Sequence, residues 1–496
     1  MFSFLSVEFA LLFIAFFIIY WLFKQKPQIQ NLLLCVFSYV IIYLMAGWVA
    51  LVALLIFSVF IFVIANIIET SNHQKFWLVF ALIVTLFNLS FFKYYDFFRA
   101  SVSQTMQLYQ LDTSGLIANI VFPLGISYYS FQAISCLVGV YRGEIEFSKL
   151  TWLQSLSYFS FFATISAGPI TRMNDSKGLL DIKKQPCGMQ SQLSSVETRK
   201  ILLPTLAFAL ILLALIKKWW LAGYLADNWV NPIFANPTGF HSLEVLVAIY
   251  GYTLQLFLDF SGYSEMMVAF GLLLGFRLPM NFNAPLLAHN IRDFWDRWHI
   301  SLSTWIRDYI YIPLGGSRAG FLRTQVNLML AMVLSGIWHG STFNFFFWGL
   351  LHGLAICLLN IGDKVGQTLS NNPKGRNFLA NTGVFGKVLG VFITVHFVVF
   401  AFVFFRATTL NEALLVFAAL FGNHVNVAWT NNPLYLLSVL FFAWLLYPVV
   451  KNNTKKLAPL INKIPSVFIY MALFIGFMVV VIFAPSGIPG FIYANF

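Results

Sequence analysis

A histidine closes the run Ser335-Gly336-Ile337-Trp338-His339-Gly340, at the end of one apolar stretch and just before another. An unperturbed imidazole titrates near pH 6.5, which suits it to general acid–base work at physiological pH. The flanking glycines let a backbone or a substrate approach closely. On these residues alone two readings stand: a proton carrier, or a packing histidine kept neutral by a backbone partner. His352, in Leu351-His352-Gly353, falls about 220° further round a continuous helix, off the face of His339. It is predicted to hydrogen-bond between helices. His73, His241 and His424 fall in loops or at the ends of apolar runs and His396 lies inside one; no role is assigned to them.

A second concentration of chemistry lies within 277–323, where charge and aromatics mix between strongly apolar regions. The spacing predicts a polar helix over 289–309. Arg292/Asp296 and Asp293/Arg297 are each four apart, so opposite charges meet on one helical face. Phe294, Trp298 and Trp305 add bulk of the kind that gathers where lipid meets water. Such a helix either lies at the membrane surface or lines a cavity. Arg292, Arg297 and Arg307 balance Asp293, Asp296 and Asp308, which favours the cavity, because surface helices tend to be net basic and intramembrane charges are costly and usually functional.

Other chemistries lack their signatures. There is no H-E-x-x-H, P-loop, G-x-S-x-G or dinucleotide-type glycine motif. The cysteines, Cys35, Cys136, Cys187 and Cys357, are far apart and read as small buried hydrophobes rather than a zinc site or a disulfide framework. No metal and no tightly held cofactor are expected. Histidines within a membrane then leave proton-coupled transport or group transfer.

The elements that must position these residues are transmembrane helices. Hydrophobic residues make up 59% of the chain and charged ones 10%, against roughly 25% charged in soluble domains, too few to cover a soluble surface. Apolar runs recur along the whole chain, several too short to cross a core of about 30 Å alone. The expectation is an all-α polytopic membrane protein forming one domain over 1–496, with about 11 crossings plus re-entrant or interfacial helices. Phe2–Phe23 reads as a retained first span, since positive charge follows it at Lys24 and Lys26 rather than preceding it. The net charge of +12 would suggest nucleic acid in a soluble protein. Here basic residues such as Lys217-Lys218 and those from Lys451 to Lys456 read as cytoplasmic loops between helices, so no nucleic-acid partner is expected. The side of the basic loop from Arg172 to Lys200 depends on whether 152–170 crosses or turns back.

In order along most of the chain run Pro123-Leu124-Gly125-Ile126-Ser127-Tyr128-Tyr129-Ser130-Phe131-Gln132, Tyr141-Arg142-Gly143, Ala167-Gly168-Pro169-Ile170 and Leu258-Asp259-Phe260-Ser261-Gly262-Tyr263-Ser264. Then come Asp293-Phe294-Trp295, Arg297-Trp298-His299-Ile300-Ser301-Leu302-Ser303, Asp308-Tyr309-Ile310-Tyr311-Ile312-Pro313-Leu314-Gly315-Gly316, Gly336-Ile337-Trp338-His339-Gly340 and Phe404-Phe405-Arg406-Ala407. In this order they resemble the membrane-bound O-acyltransferase family, in its bacterial polysaccharide O-acetylase branch. The resemblance implies a ring of helices around a central funnel, with His339 as the catalytic histidine and His299 as the second histidine of the active site. Arg292, Asp293, Arg297, Trp298, Ser303 and Trp338 are expected to bind substrate or orient that pair. It also implies a bacterial inner-membrane enzyme that takes acetyl from a cytoplasmic thioester, acetyl-CoA being the natural donor. The acetyl would pass to an extracytoplasmic glycan, through a separate periplasmic acetyltransferase partner. The opening Glu8-Phe9-Ala10 with Tyr20-Trp21 leans the acceptor towards peptidoglycan over alginate. The rival expectations are a D-alanyl or other acyl transferase, and a proton-coupled transporter or conduit that does no chemistry.

Overall fold

The computed structural model describes residues 2–109, 123–174, 188–370, 383–424, 428–461 and 464–483. Cys187 and part of the Arg172–Lys200 loop lie outside them. Among the described residues the structure is helical and without strands, as composition requires: in lipid, backbone amides must be satisfied within the segment itself. Among the described residues nine helices are long and apolar enough to cross a membrane, and two shorter apolar ones, Val7–Leu22 and Leu410–Gly422, accompany them. This is a multi-pass membrane protein. The chain divides into two compact units, one of Met1–Ile211 with Tyr263–Met280, the other of Leu212–Gly262 with Asn281–Phe496.

In the first unit, helix α1 (Val7–Leu22) begins where the Ser6 hydroxyl accepts from the Phe9 amide, supplying one of the bonds that a helix start lacks. Its buried face is Phe9, Phe13, Phe16 and Tyr20, at the three-to-four spacing of one helical stripe. Phe16 stacks on Phe37 at 3.9 Å and Phe13 meets Phe270 at 4.7 Å. The apolar residues that follow form one helix, α2 (Pro27–Thr70), broken at Gly47, whose φ of 80° only glycine adopts freely. A straight helix of 44 residues would be about 66 Å long, twice the hydrocarbon thickness, and the break divides it into pieces each the length of one crossing. Helix α3 (Gln74–Leu108) and helix α4 (Ile126–Tyr141) follow. The apolar run 152–170 does not make one crossing helix: Trp152–Ser160 ends at Phe161, which leaves helical geometry, and only a short turn, Phe162–Ile165, follows. Nor is the basic loop uniformly solvated. Arg199 is buried and donates to Asn31 Oδ1 at 2.6 Å and to Tyr20 Oη at 3.2 Å, so this guanidinium holds three segments together instead of marking a membrane face.

The second unit takes the span α5 (Pro204–Ala235) from Leu212 onward and α6 (Ser242–Leu273) as far as Gly262. Lys217 and Lys218, expected in a loop, lie inside α5 in a stretch of wide π-type turns, Leu215–Ala222. Lys218 is 3% exposed and ion-paired with Asp259, itself 2% exposed. The Lys217 ammonium lies 5.8 Å from the centre of the Phe257 ring. Neither lysine is a topogenic loop charge. After two short helices, α7 (Ile291–Trp295) and α8 (Ile300–Ile306), come α9 (Phe321–His339), α10 (Phe343–Ser370), α11 (Gly383–Arg406) and α12 (Leu410–Gly422). Then α13 (Pro433–Ile461) and α14 (Ser466–Phe483) complete it. The apolar windows of these last two helices are mostly exposed, which fits helices that meet lipid on several sides.

Candidate active site

The predicted polar helix over 289–309 is two short helices with a sharp turn between them. Asn290 starts α7 by accepting from the Asp293 amide at 2.9 Å, and α7 ends at Trp295. His299 then takes a left-handed backbone, φ 44°, before α8 begins at Ile300. A non-glycine residue held there is costly and persists only when its surroundings over-determine it. Asn281 supplies that support: its carbonyl accepts from the Ile300 amide at 3.0 Å, and its side-chain oxygen accepts from the Ser301 hydroxyl at 2.6 Å and the Ser301 amide at 3.2 Å. His299 is thereby turned inward, 1% exposed, edge-on to Phe260 at 4.7 Å. Burial pushes its imidazole down to about 3, so it is neutral throughout the physiological range.

Of the two predicted charge pairs, one forms. Arg297 Nε donates to Asp293 Oδ1 at 2.6 Å, and Asp293 Oδ2 faces His289 Nδ1 at 2.8 Å. Burial alone would raise the Asp293 carboxyl, but the hydrogen bonds from Arg297 and His289 outweigh it and hold the group below the usual carboxylate range. The Arg292/Asp296 pair is corrected. Asp296 sits at the end of α7, beyond its last full turn, while Arg292 reaches across to Asp363 on α10. Trp298 is buried and stacks on Phe294 at 5.5 Å, and Ser303 donates to the Trp298 carbonyl at 3.0 Å.

His339 is the last residue of α9, 4% exposed. Trp338 at 4.6 Å, Phe405 at 5.0 Å and Trp348 at 5.2 Å bound its ring. Two glycines allow this. A side-chain carbon on Gly336 would stand 2.2 Å from the Phe345 carbonyl oxygen, and one on Gly349 would stand 2.5 Å from that of Met332. Helices α9 and α10 therefore touch backbone to backbone, as small residues permit in membranes. Gly349→Ala is expected to force them apart at a cost of about 1–3 kcal/mol, read as a lower midpoint in heated, detergent-solubilised protein followed by size-exclusion chromatography. An unchanged midpoint would show that the contact tolerates a methyl group.

A cavity of about 810 Å³ lies within this unit. Its wall includes Arg292, Ser303, Trp295, Arg307, Lys364, Asp363 and Asp296, and on α9 it reaches Met332 and Ser335, one turn before His339. Among the expected site residues Arg292 and Ser303 line it. His339, Trp338, Trp298 and His299 stand behind it in aromatic surroundings: Trp298 meets Phe402 at 5.3 Å, Phe402 meets Phe405 at 5.8 Å, and Phe405 meets His339. His339 lies against Phe405 at 5.0 Å, while the ring contact of His299 is Phe260. Sequence reasoning missed Trp295, Trp348 and Asp363. Trp295 had a signal as part of Asp293-Phe294-Trp295 and Asp363 as a carboxylate just past a long apolar run; Trp348 had none.

A sequence model of the membrane-bound O-acyltransferase family matches residues 142–362. A Pseudomonas aeruginosa protein named "Probable alginate O-acetylase AlgI" is 33% identical over 402 residues, 79% of this chain and 70% of the relative. The peptidoglycan O-acetyltransferase of Helicobacter pylori is 31% identical over 395 residues, 75% of this chain and 69% of the relative. A teichoic acid D-alanyltransferase of Bacillus subtilis is 29% identical over 294 residues, 58% of this chain and 69% of the relative. The chain spans about two thirds of the length of the curated relatives it matches.

Proposed function

This chain belongs to the membrane-bound O-acyltransferase family, and from that premise we propose that it moves an acetyl group from a cytoplasmic thioester to an extracytoplasmic glycan. The observation that carries the reading is the placement of His339: a buried imidazole at the end of α9, one helical turn from Ser335 on the wall of a cavity large enough for a cofactor-sized guest. In the proposed step a hydroxyl oxygen bonds to the acyl carbon, the carbon–sulfur bond breaks, and the hydroxyl proton passes through His339 to the departing sulfur. A hydroxyl is a poor nucleophile at neutral pH, and a positioned base contributes about 10²–10⁴-fold. On the cavity wall Arg292 is paired with Asp363 and Arg307 with Asp308, so Lys364 is the cation that meets an anionic donor such as acetyl-CoA in this proposal. His299, neutral by burial, acts as a hydrogen-bonding group rather than a second proton carrier.

The acetylase names of the Pseudomonas and Helicobacter relatives support a glycan acceptor. An inner-membrane location and hand-over to a periplasmic acetyltransferase belong to the same proposal. Of Glu8, Phe9, Ala10, Tyr20 and Trp21, which lean the acceptor towards peptidoglycan, Phe9 and Tyr20 are core residues of α1, while Glu8 and Ala10 are exposed. Mass spectrometry of muropeptides and of secreted polysaccharide from a deletion strain separates the acceptors. The expected result is loss of ester-linked acetate from one of the two. Loss of ester-linked D-alanine instead would move the chain to the teichoic-acid reading, and no change in any acyl ester would overturn the proposal.

A further inference from the structure

His352 takes no part in the step above, yet it is completely buried on α10 inside a box of rings. Trp348 lies at 4.6 Å, Trp295 at 5.2 Å, Phe397 at 5.3 Å and Phe294 at 6.4 Å. The expected interhelical hydrogen bond is not made: among the described residues neither ring nitrogen of His352 has a partner. The same holds for the indole N–H groups of Trp295 and Trp348, whose nitrogens are also buried. An unsatisfied buried polar group costs about 1–3 kcal/mol. A phenylalanine would fill the box without that cost, so packing does not account for a histidine here.

A neutral imidazole carries one donor and one acceptor, and each indole one donor. Together the trio offers three donors and one acceptor, which suits a guest whose oxygen accepts hydrogen bonds. Its position is equally specific. Trp295 lies on the wall of the cavity, and Trp348 lies edge-on to the His339 ring at 5.2 Å. The trio therefore stands between the space that would hold the donor and the residue that would remove the proton.

We propose that Trp295, Trp348 and His352 form the subsite for the acyl group, hydrogen-bonding its carbonyl oxygen during transfer. The proposal rests on the O-acyl-transfer reading and assigns residues that reading leaves idle. As the hydroxyl oxygen adds to the acyl carbon, the carbonyl oxygen gains negative charge and returns it when the carbon–sulfur bond breaks. Donors that reach that oxygen strengthen as the charge builds. Phe294 and Phe397 complete the ring of aromatic neighbours around His352.

The test is ester-linked acetate on exported glycan in a deletion strain complemented with full-length variants and pulsed with labelled acetate, at matched protein levels. His352→Phe keeps the ring and removes both nitrogens; its acetylation rate is expected to fall on the order of a hundredfold, the loss typical of one missing oxyanion donor. His352→Gln, which retains a donor and an acceptor, is expected to recover at least a tenth of the wild-type rate. A wild-type rate in His352→Phe, or a glutamine variant no better than the phenylalanine one, overturns the subsite. Should His352→Phe fail to accumulate, Trp295→Phe at its half-buried position carries the same test, with a loss on the order of a hundredfold expected for one donor and a wild-type rate overturning the proposal. His339→Ala run alongside separates the two levels. If it still acetylates, the transfer reading fails; if it is inactive while His352→Phe is not, only the subsite fails.

Discussion

His339→Ala is expected to abolish O-acetylation of the exported glycan while the protein still accumulates in the membrane. The magnitude follows from the role. Loss of a positioned base costs about 10²–10⁴-fold in rate, which takes a readily measured acetate signal to background. Alanine also removes a ring from between Trp338, Trp348 and Phe405, so a cavity effect must be separated from a chemical one. His339→Gln fills more of that space and hydrogen-bonds but cannot take up a proton at neutral pH. It should be as inactive as alanine with a thermal midpoint close to wild type. Acetate released by mild alkali, set against immunoblotted protein, reads both variants. Acetylation persisting in either at normal protein level would remove His339 from the chemistry and leave only the family assignment.

What could be read in advance followed the range of the interactions involved. Membrane class was legible because it depends on composition alone, and the order of the short motifs was legible because a motif is local. The trouble began where a local rule met a distant partner. Arg292 and Asp296 satisfy the four-residue rule for a helix, but α7 stops at Trp295, and the partner of Arg292 is Asp363, on another helix. The same rule succeeded for Asp293 and Arg297 because Arg297 reaches back onto α7 from the turn that follows it. The break at His299 had no glycine or proline to announce it; the support comes from Asn281. The angle of about 220° between His339 and His352 holds for one continuous helix, whereas the chain leaves helical geometry after His339 and resumes at Phe343. The two histidines sit on different helices with Trp348 between their rings, an arrangement that helical periodicity cannot express. Gly336 reads as permissive of close approach, but not as the point where, with Gly349, α9 and α10 meet.

Lys218 was the most instructive misreading, and it yields the second large expected effect. Beside Lys217, and in a chain where positive charge marks cytoplasmic loops, it looked like a signal for topology. Instead it is ion-paired with Asp259, with both side chains at least 95% buried inside membrane-spanning helices. Two charges in such a place stabilise each other only as a pair. Breaking a buried pair by removing one partner costs about 3–5 kcal/mol, whereas replacing both with apolar groups of similar volume is often neutral or stabilising. Lys218→Met and Asp259→Leu are therefore each expected to lower the yield of folded protein sharply, and Lys218→Met with Asp259→Leu to recover most of it. Fluorescence-detected size-exclusion chromatography after a heating series reads all three. A double variant as poor as the worse single one would mean that the charges act through something other than each other. Asp259 also precedes Phe260, the ring against which His299 lies, so the recovered double variant carries a second measurement. If it folds and acetylates at the wild-type rate, the pair serves stability alone; if it folds without acetylating, the ion pair fixes the stretch of α6 that shapes the surroundings of His299.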